Sequence, residues 1–403
     1  MQTAEALDAA DPLGDYRSLF LGHDDPGILA YLDGNSLGRP LRASAERITE
    51  FVSAGWGGRL IRGWDEAWLD LPLRVGDEIG RTMLGAAEDQ CALGDSTTVW
   101  LYKLCRAAVA ARPGRREIII DRDNFPTDRY IVQGIAAECG LELRWIEPDS
   151  EAGVTADGLA EALSEQTAMV LLSHVAYRSG YVAQMAELTE LTHQYGALIL
   201  WDLCHSVGVL PVELDACQVD LAVGCTYKYL NGGPGAPAFG YVRAELQDSL
   251  QQPIQGWLGY VEPFRMGPEY RPAAGIRGFT SGTPPILGML AMQDMIELIK
   301  RAGIDAVRAG SIDLTEYAIA RSEELLGGAG VRLASPRDPA RRGGHITLDH
   351  PRFRDVYRRL WDQGIIPDFR EPEGIRLGLS PLSTSFTEVD EGITAIQREL
   401  AKF

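Results

Sequence analysis

Three places in this sequence combine residue type and position in a way that could support chemistry. The first is a lysine just past an apolar run: Lys228, in Cys225-Thr226-Tyr227-Lys228-Tyr229-Leu230-Asn231, followed by Gly232-Gly233-Pro234-Gly235. An amine so placed is partly desolvated, which favours its neutral, nucleophilic form, and glycines let the backbone wrap closely around whatever it holds. Taken alone, the segment also reads as a solvent loop carrying an ordinary surface lysine.

The second place is Asp202, which ends the run Ala197-Leu198-Ile199-Leu200-Trp201-Asp202 and precedes Lys228 by one crossover unit. A carboxylate at the end of a buried strand needs a cation or donors; capping a following helix is the plainer alternative. The third is Gly94-Asp95-Ser96-Thr97-Thr98, where hydroxyls stand directly before a helical pattern. Free N–H groups, hydroxyls and the helix dipole converge on an anion at such a point, although the same residues cap helices that bind nothing. An amine for an aldehyde, a carboxylate for a ring nitrogen and a cradle for a phosphate together match the needs of one cofactor, pyridoxal 5'-phosphate (PLP).

Positioning these groups requires a scaffold. From about residue 75 to 250, strand-like runs at 117–121, 169–173, 197–202 and 220–224 alternate with amphipathic stretches, the pattern of parallel strands joined by crossover helices. The fold class is α/β. Most runs end in a polar residue, and ligands in open α/β sheets sit beyond the carboxyl ends of the strands. Residues 251–285 are rich in Gly and Pro and read as an irregular excursion, with a helix expected over 286–300. A helix over 306–326, a strand over 344–348, a helix over 353–363 and a strand over 374–378 follow. A chain of 403 residues suits a large domain with a smaller companion. The expected division is an N-terminal arm and pocket segment at 1–74 belonging to the small domain, a large PLP-binding α/β domain at 75–300, and a C-terminal α+β domain at 301–403. No internal repeat or low-complexity tract is visible.

Composition narrows the partners. Hydrophobic content of 45% and charged content of 24% are those of ordinary globular chains, and a formal charge of −19 with no basic run argues against nucleic acid. Six cysteines lack the spacing of a zinc cluster or a disulfide framework, so no metal is expected and a reducing compartment fits. The N-terminus has no signal-like apolar run and no stretch approaches a membrane span, which reads as cytoplasmic with no membrane partner.

Three further segments stand out: Tyr31-Leu32-Asp33-Gly34-Asn35-Ser36-Leu37-Gly38, Asn124-Phe125-Pro126-Thr127-Asp128 and Ser281-Gly282-Thr283-Pro284-Pro285. With the Lys228 segment they make nearly the whole chain resemble the kynureninase family, fold-type I members of the PLP aminotransferase superfamily. The resemblance implies that Lys228 carries PLP as a Schiff base, that Phe125 lies against its ring, and that Asp128 and His205 join Asp202 around it. Thr97, Thr98 and Ser173 would serve the phosphate end or nearby backbone, and Tyr227 would touch the phosphate and donate protons. Trp257 and Thr283 match residues that reach the phosphate of a neighbouring subunit, implying a homodimer with its active site at the interface. Arg376 would clamp the substrate carboxylate and Trp64, near Trp68, would face its aryl ring. The implied reaction is hydrolytic Cβ–Cγ cleavage of L-kynurenine or 3-hydroxykynurenine to anthranilate or 3-hydroxyanthranilate and L-alanine, in tryptophan catabolism.

Each residue also has a plainer meaning: Phe125, Trp64 and Trp257 as core, Arg376 as a salt bridge, His205 as a structural histidine. Ala176 and Asp65 depart from the polar residues expected of relatives, Asn foremost, and leave substrate preference open. Rival readings are a C–S lyase or desulfurase of the same fold, a relative acting on a substituted kynurenine in secondary metabolism, and a binding protein that has lost turnover. A desulfurase needs a mobile cysteine in its C-terminal part, whereas the last cysteine here is Cys225.

Overall fold

The computed structural model describes residues 2–149, 153–265 and 267–403. Its strands in chain order are β1 (Ala30–Leu32), β2 (Cys91–Gly94), β3 (Glu117–Asp121), β4 (Glu142–Ile146), β5 (Thr167–Ser173) and β6 (Leu198–Asp202). They continue with β7 (Leu221–Cys225), β8 (Ala238–Val242), β9 (Arg332–Leu333), β10 (His345–Asp349), β11 (Ile365–Arg370) and β12 (Gly374–Gly378).

Strands β2 to β8 form one sheet in the order β2-β8-β7-β6-β5-β3-β4. It is parallel apart from β8, which runs against both β7 and β2. The apolar runs are continuous because helices cover both faces. Ile119, Val170, Ile199 and Trp201 pack into one core. Their chain neighbours Ile118, Ile120, Met169, Leu171 and Leu200 pack into the other. This side-to-side alternation locks the register, and the register sets the site: Ser173 pairs with Asp202, and Asp202 with Val223. The ends of β5, β6 and β7 therefore present their terminal residues along one edge, with Lys228 three residues beyond β7.

The second sheet has the order β1-β11-β12-β10-β9. Only its β1–β11 pair is parallel. Leu32, Ile346, Leu348, Ile365, Ile375 and Leu377 pack there with residues of the helices Ile304–Leu326, Phe353–Trp361 and Phe386–Leu400. A capping box at Ser385, with Glu388 answering it, starts the last of these helices.

Several sequence expectations shift in detail. The run expected at 220–224 lies one residue later, as Leu221–Cys225, and the helices expected at 286–300 and 306–326 extend to Ile286–Ala302 and Ile304–Leu326. No helix follows Asp202; the chain enters a turn in which the Asp202 carboxylate accepts from the Cys204 N–H at 2.7 Å, so it caps a turn instead. Among the described residues of 251–285 there are only short helical turns, at Pro263–Arg265 and Gly275–Phe279. No described helix is long and apolar enough to cross a membrane.

Candidate active site

Beyond the carboxyl ends of β5, β6 and β7 lies a cavity of about 150 Å³. Its walls include Thr97 and Thr98 from the start of the helix Thr97–Ala110, Phe125 and Asp128 from the start of the helix Pro126–Cys139, and Ser173, Asp202, His205, Tyr227 and Lys228. Nine of the residues singled out from the sequence thus meet in one place.

Lys228 is only 8% exposed, which removes the surface-loop reading. Its Nζ lies 3.0 Å from His205 Nε2 and 5.7 and 5.8 Å from the ring centres of Phe125 and Tyr227. Burial, and next the charge of Lys228, push the His205 pKa well below the usual imidazole value, so the ring stays neutral and can accept from a Lys228 ammonium. Across the site, burial and then the Asp202 charge raise the Asp128 pKa well above the usual carboxyl range. That burial favours the protonated form of Asp128 beside Asp202. Burial likewise raises the Tyr227 phenol, which makes it a proton donor rather than a base.

The helix starts around the cavity are built for their tasks. Ser96 caps the first, its hydroxyl accepting from Val99 N–H at 3.4 Å, and leaves Thr97 and Thr98 in the opening turn. Pro126 occupies the first turn of the second, where its missing N–H costs nothing. Between them Asn124 acts as a knot: its amide donates to Asp121 at 2.9 Å, and its oxygen accepts from Phe125 N–H at 2.7 Å and the Ser173 hydroxyl at 3.0 Å. The motif containing Asn124 was visible in the sequence, but its role was not. The same holds for Gly38, named in the 31–38 segment without a role. Its N–H donates to the Tyr227 carbonyl at 2.9 Å, and a Cβ there would stand 2.4 Å from the Lys228 carbonyl, so only glycine lets the N-terminal arm lie on the lysine loop.

Trp64, Trp257 and Thr283 lie outside the cavity within the single chain. Trp257 Nε1 donates to the Thr283 hydroxyl at 3.2 Å, and Trp64 stands edge-on to Trp257 with ring centres 5.7 Å apart. Trp64 and Thr283 line an apolar surface pocket of about 380 Å³ with Phe51, Trp56 and Trp68.

Arg376, on β12, is fully buried and does not line the Lys228 cavity. It donates to the Tyr177 carbonyl and the Ser36 hydroxyl, both at 2.6 Å, and pairs with Asp368 at 2.6 Å and Asp33 at 3.8 Å. Tyr177 in turn lines the cavity and meets Phe125 edge-on at 5.4 Å, so Arg376 stands one residue behind the wall. Burial, then the charge of Asp368, raises the Asp33 pKa to about 6. Asp33 and Ser36 give the 31–38 segment a physical meaning as part of the shell of this arginine. Ala176 borders a larger neighbouring cavity of about 360 Å³ that shares Ser173 and Tyr177 with the first, and Asp65 is exposed.

This donor set fits PLP: a shielded amine, a carboxyl pair whose Asp128 Oδ2 is buried without a partner among the described residues, and a capped helix start bearing two hydroxyls. No group of three or more His, Cys, Asp or Glu among the described residues could hold a metal ion.

Known proteins resemble the chain in sequence and in fold. Residues 94–366 match the family Aminotransferase class-V. A kynureninase from Burkholderia mallei is 40% identical over 98% of this chain and 94% of its own length. One from Pseudomonas fluorescens is 39% identical over 96% and 92%. Among solved structures, an apo cysteine desulfurase from Thermococcus onnurineus superposes with a TM-score of 0.80 over 100% of this chain and 99% of that one, at 19% identity. The cysteine desulfurase CsdA from Escherichia coli gives 0.81 over 97% and 99%, at 17% identity. These structural neighbours share the fold.

Proposed function

The chain belongs to the kynureninase family, within the class-V aminotransferases, and from that premise we propose that it is a PLP-dependent hydrolase cleaving the Cβ–Cγ bond of L-kynurenine or its 3-hydroxy form. The observation that carries the reading is the shared cavity of Lys228, the Asp202–Asp128 pair and the hydroxyl-bearing helix start. The substrates place the enzyme in tryptophan catabolism.

When bound, PLP supplies an electron sink that lets the substrate's α-carbon lose its proton and its Cβ–Cγ bond break. Lys228 would hold the cofactor at its aldehyde carbon and, when free, is placed to take the substrate's α-proton, with neutral His205 positioned to accept a hydrogen bond from the resulting ammonium. Asp202, with Asp128 beside it, would hold a proton at the ring nitrogen. Phe125 would pack the ring, while Thr97, Thr98, Ser173 and Tyr227 would serve the phosphate end. Water adds to the γ-carbonyl, and Tyr227, kept protonated by burial, returns a proton as the products separate. Arg376 takes the substrate carboxylate by exchanging its present oxygen partners, its planar fork suiting a two-point grip.

A homodimer completes the site in this reading. Trp56 and Phe264 are each 52% exposed and Ile61 77% exposed near Trp64, Trp257 and Thr283, an aromatic surface that a second copy would cover while delivering Trp257 and Thr283 to the partner's phosphate. Trp64 then faces the aryl ring. The six free thiols suit a reducing, cytoplasmic setting.

The test is a product assay on the PLP-loaded protein with L-kynurenine, 3-hydroxykynurenine and cystine in parallel. Anthranilate or 3-hydroxyanthranilate in equal yield with alanine is expected. Sulfide from cystine with neither aryl product would replace the reading with a C–S lyase.

A further inference from the structure

One buried titratable group beside Lys228 has no part in the steps above. His345 opens β10 in the second sheet, is fully buried, and its ring centre lies 5.3 Å from that of His205 with the planes at 56°. Neither ring nitrogen of His345 has a hydrogen-bond partner among the described residues, and the same is true of His205 Nδ1. Two buried imidazoles thus face each other across the boundary between the sheets with three ring nitrogens unsatisfied between them. Buried polar atoms left in that state cost about 1–3 kcal/mol each, so the arrangement calls for a reason.

The surroundings hold both rings neutral. Burial is the main influence on each, followed by cations: Lys228 and Arg376 act on both rings, joined by Arg370 from β11. The Ala176 backbone works against these influences on His345, in the raising direction, and Gly180 leaves room for its ring, since a Cβ there would stand 3.3 Å from Nε2. Tyr229, whose buried hydroxyl is also unpartnered, packs near Gly344, one residue before His345. Asp128, Tyr177, Asp202, Cys204 and Tyr227 are the other ionisable groups that line the cavity with Lys228 and His205.

We propose that His345 is a positioning residue for the cofactor lysine: a rotation of either ring from the unbonded arrangement lets it pair with Nδ1 of His205 and so fix the tautomer of that imidazole that Lys228 meets. The inference rests on the reading of Lys228 given above. A neutral imidazole carries one N–H and one lone pair. To accept from a Lys228 ammonium at 3.0 Å, His205 needs a bare Nε2, which puts its hydrogen on buried Nδ1 and demands an acceptor there. His345 offers that lone pair. When Lys228 is neutral and itself accepts, both tautomers reverse, His345 donates, and His205 donates to the amine. The pair thereby serves the lysine in both protonation states without adding charge, and a partner behind a ligating imidazole sharpens its basicity in the same way.

The test uses His345→Phe, which keeps an aromatic ring without nitrogens, and His345→Gln, which keeps a donor and an acceptor. In the PLP-loaded protein, His345→Phe is expected to move the midpoint of the pH-dependent change in the cofactor's visible absorbance by about one unit and lower kcat about tenfold with KM within about twofold. His345→Gln is expected to keep the wild-type midpoint. An unmoved midpoint in His345→Phe overturns the proposal. Nitrogen-15 spectra of the wild-type chain without cofactor judge it independently of any variant: each of the two rings should show one hydrogen-bonded tautomer, and free averaging of tautomers on either ring overturns it. A wild-type chain that never develops the lysine-bound PLP band defeats the cofactor reading instead, and the spectra still decide the histidine pair.

Discussion

Lys103 and Lys228 are both buried amines, yet their surroundings have little in common. Lys103, in the helix Thr97–Ala110, is fully enclosed, and its Nζ donates to Asp95 and the Phe279 carbonyl at 2.8 Å each and to the Ser281 hydroxyl at 3.1 Å. It also lies 3.8 Å from the Trp100 ring centre. Lys228 is almost as enclosed, but its one polar contact among the described residues is a neutral imidazole. Burial lowers the pKa of Lys103, and Asp95 pulls it back. What separates a structural lysine from a reactive one is therefore the shell of acceptors rather than the depth. Lys103 uses its shell to join Asp95, just before the Thr97–Thr98 turn, to the segment leading into Thr283.

The contrast can be broken most sharply by exchanging function against stability. Lys228→Ala should cut turnover by about 10²–10⁴-fold while leaving the melting temperature nearly unchanged, because only the neutral His205 ring, and no charged acceptor, loses a partner. Turnover within tenfold of wild type would end the assignment. Lys103→Met should do the reverse, retaining the chemistry per bound cofactor but destabilising the fold by about 3–5 kcal/mol in urea titration, since Asp95 and the Phe279 carbonyl lose their cation. A Lys103→Met protein that unfolds at the wild-type midpoint would show that the shell contributes nothing.

A smaller effect tests the same rule with the opposite charge. Asp121 is buried with an amide, Asn124, where a cation might be expected, and burial raises its pKa from 3.8 to about 6. Because the folded value lies above the unfolded one, the folded chain keeps a proton between pH of about 4 and 6 that the unfolded chain has released. Stability should fall as pH rises through that window, by at most about 3 kcal/mol for a two-unit shift. Asp121→Asn should remove this contribution, leaving a slope of the same sign from Asp33, also raised to about 6. Equal slopes in urea unfolding at pH 4.5 and 7 for wild type and variant would contradict it.

Much of this arrangement was legible from residue order. Strands β3, β5, β6 and β7 announce themselves as apolar runs because both their faces are covered, and the chemistry of Lys228 and Asp202 is written in their own segments. Strand β4 is not, since Glu142 and Arg144 interrupt a partly exposed edge, while β2 has only 4 residues and ends in Gly94, and β8 carries Gly240 at its centre among small and aromatic residues. A residue whose job depends on distant neighbours left no local mark. The shell of Arg376 gathers Asp33, Ser36, Tyr177 and Asp368 from three separate parts of the chain, and the placement of His345 beside His205 exists only once the two sheets meet. Trp64, Trp257 and Thr283 were noticed by type, but a single chain leaves them away from Lys228.

The contact of Gly38 with the Lys228 loop carries a consequence for the timing of synthesis. The glycine leaves the ribosome early, but the carbonyls it must meet are added nearly two hundred residues later, about 10–40 seconds on at ordinary elongation speeds. Over that interval the arm can pair neither with that loop nor with β11, which comes later still. The arm is made well before the elements it rests on and is among the last parts to find its place.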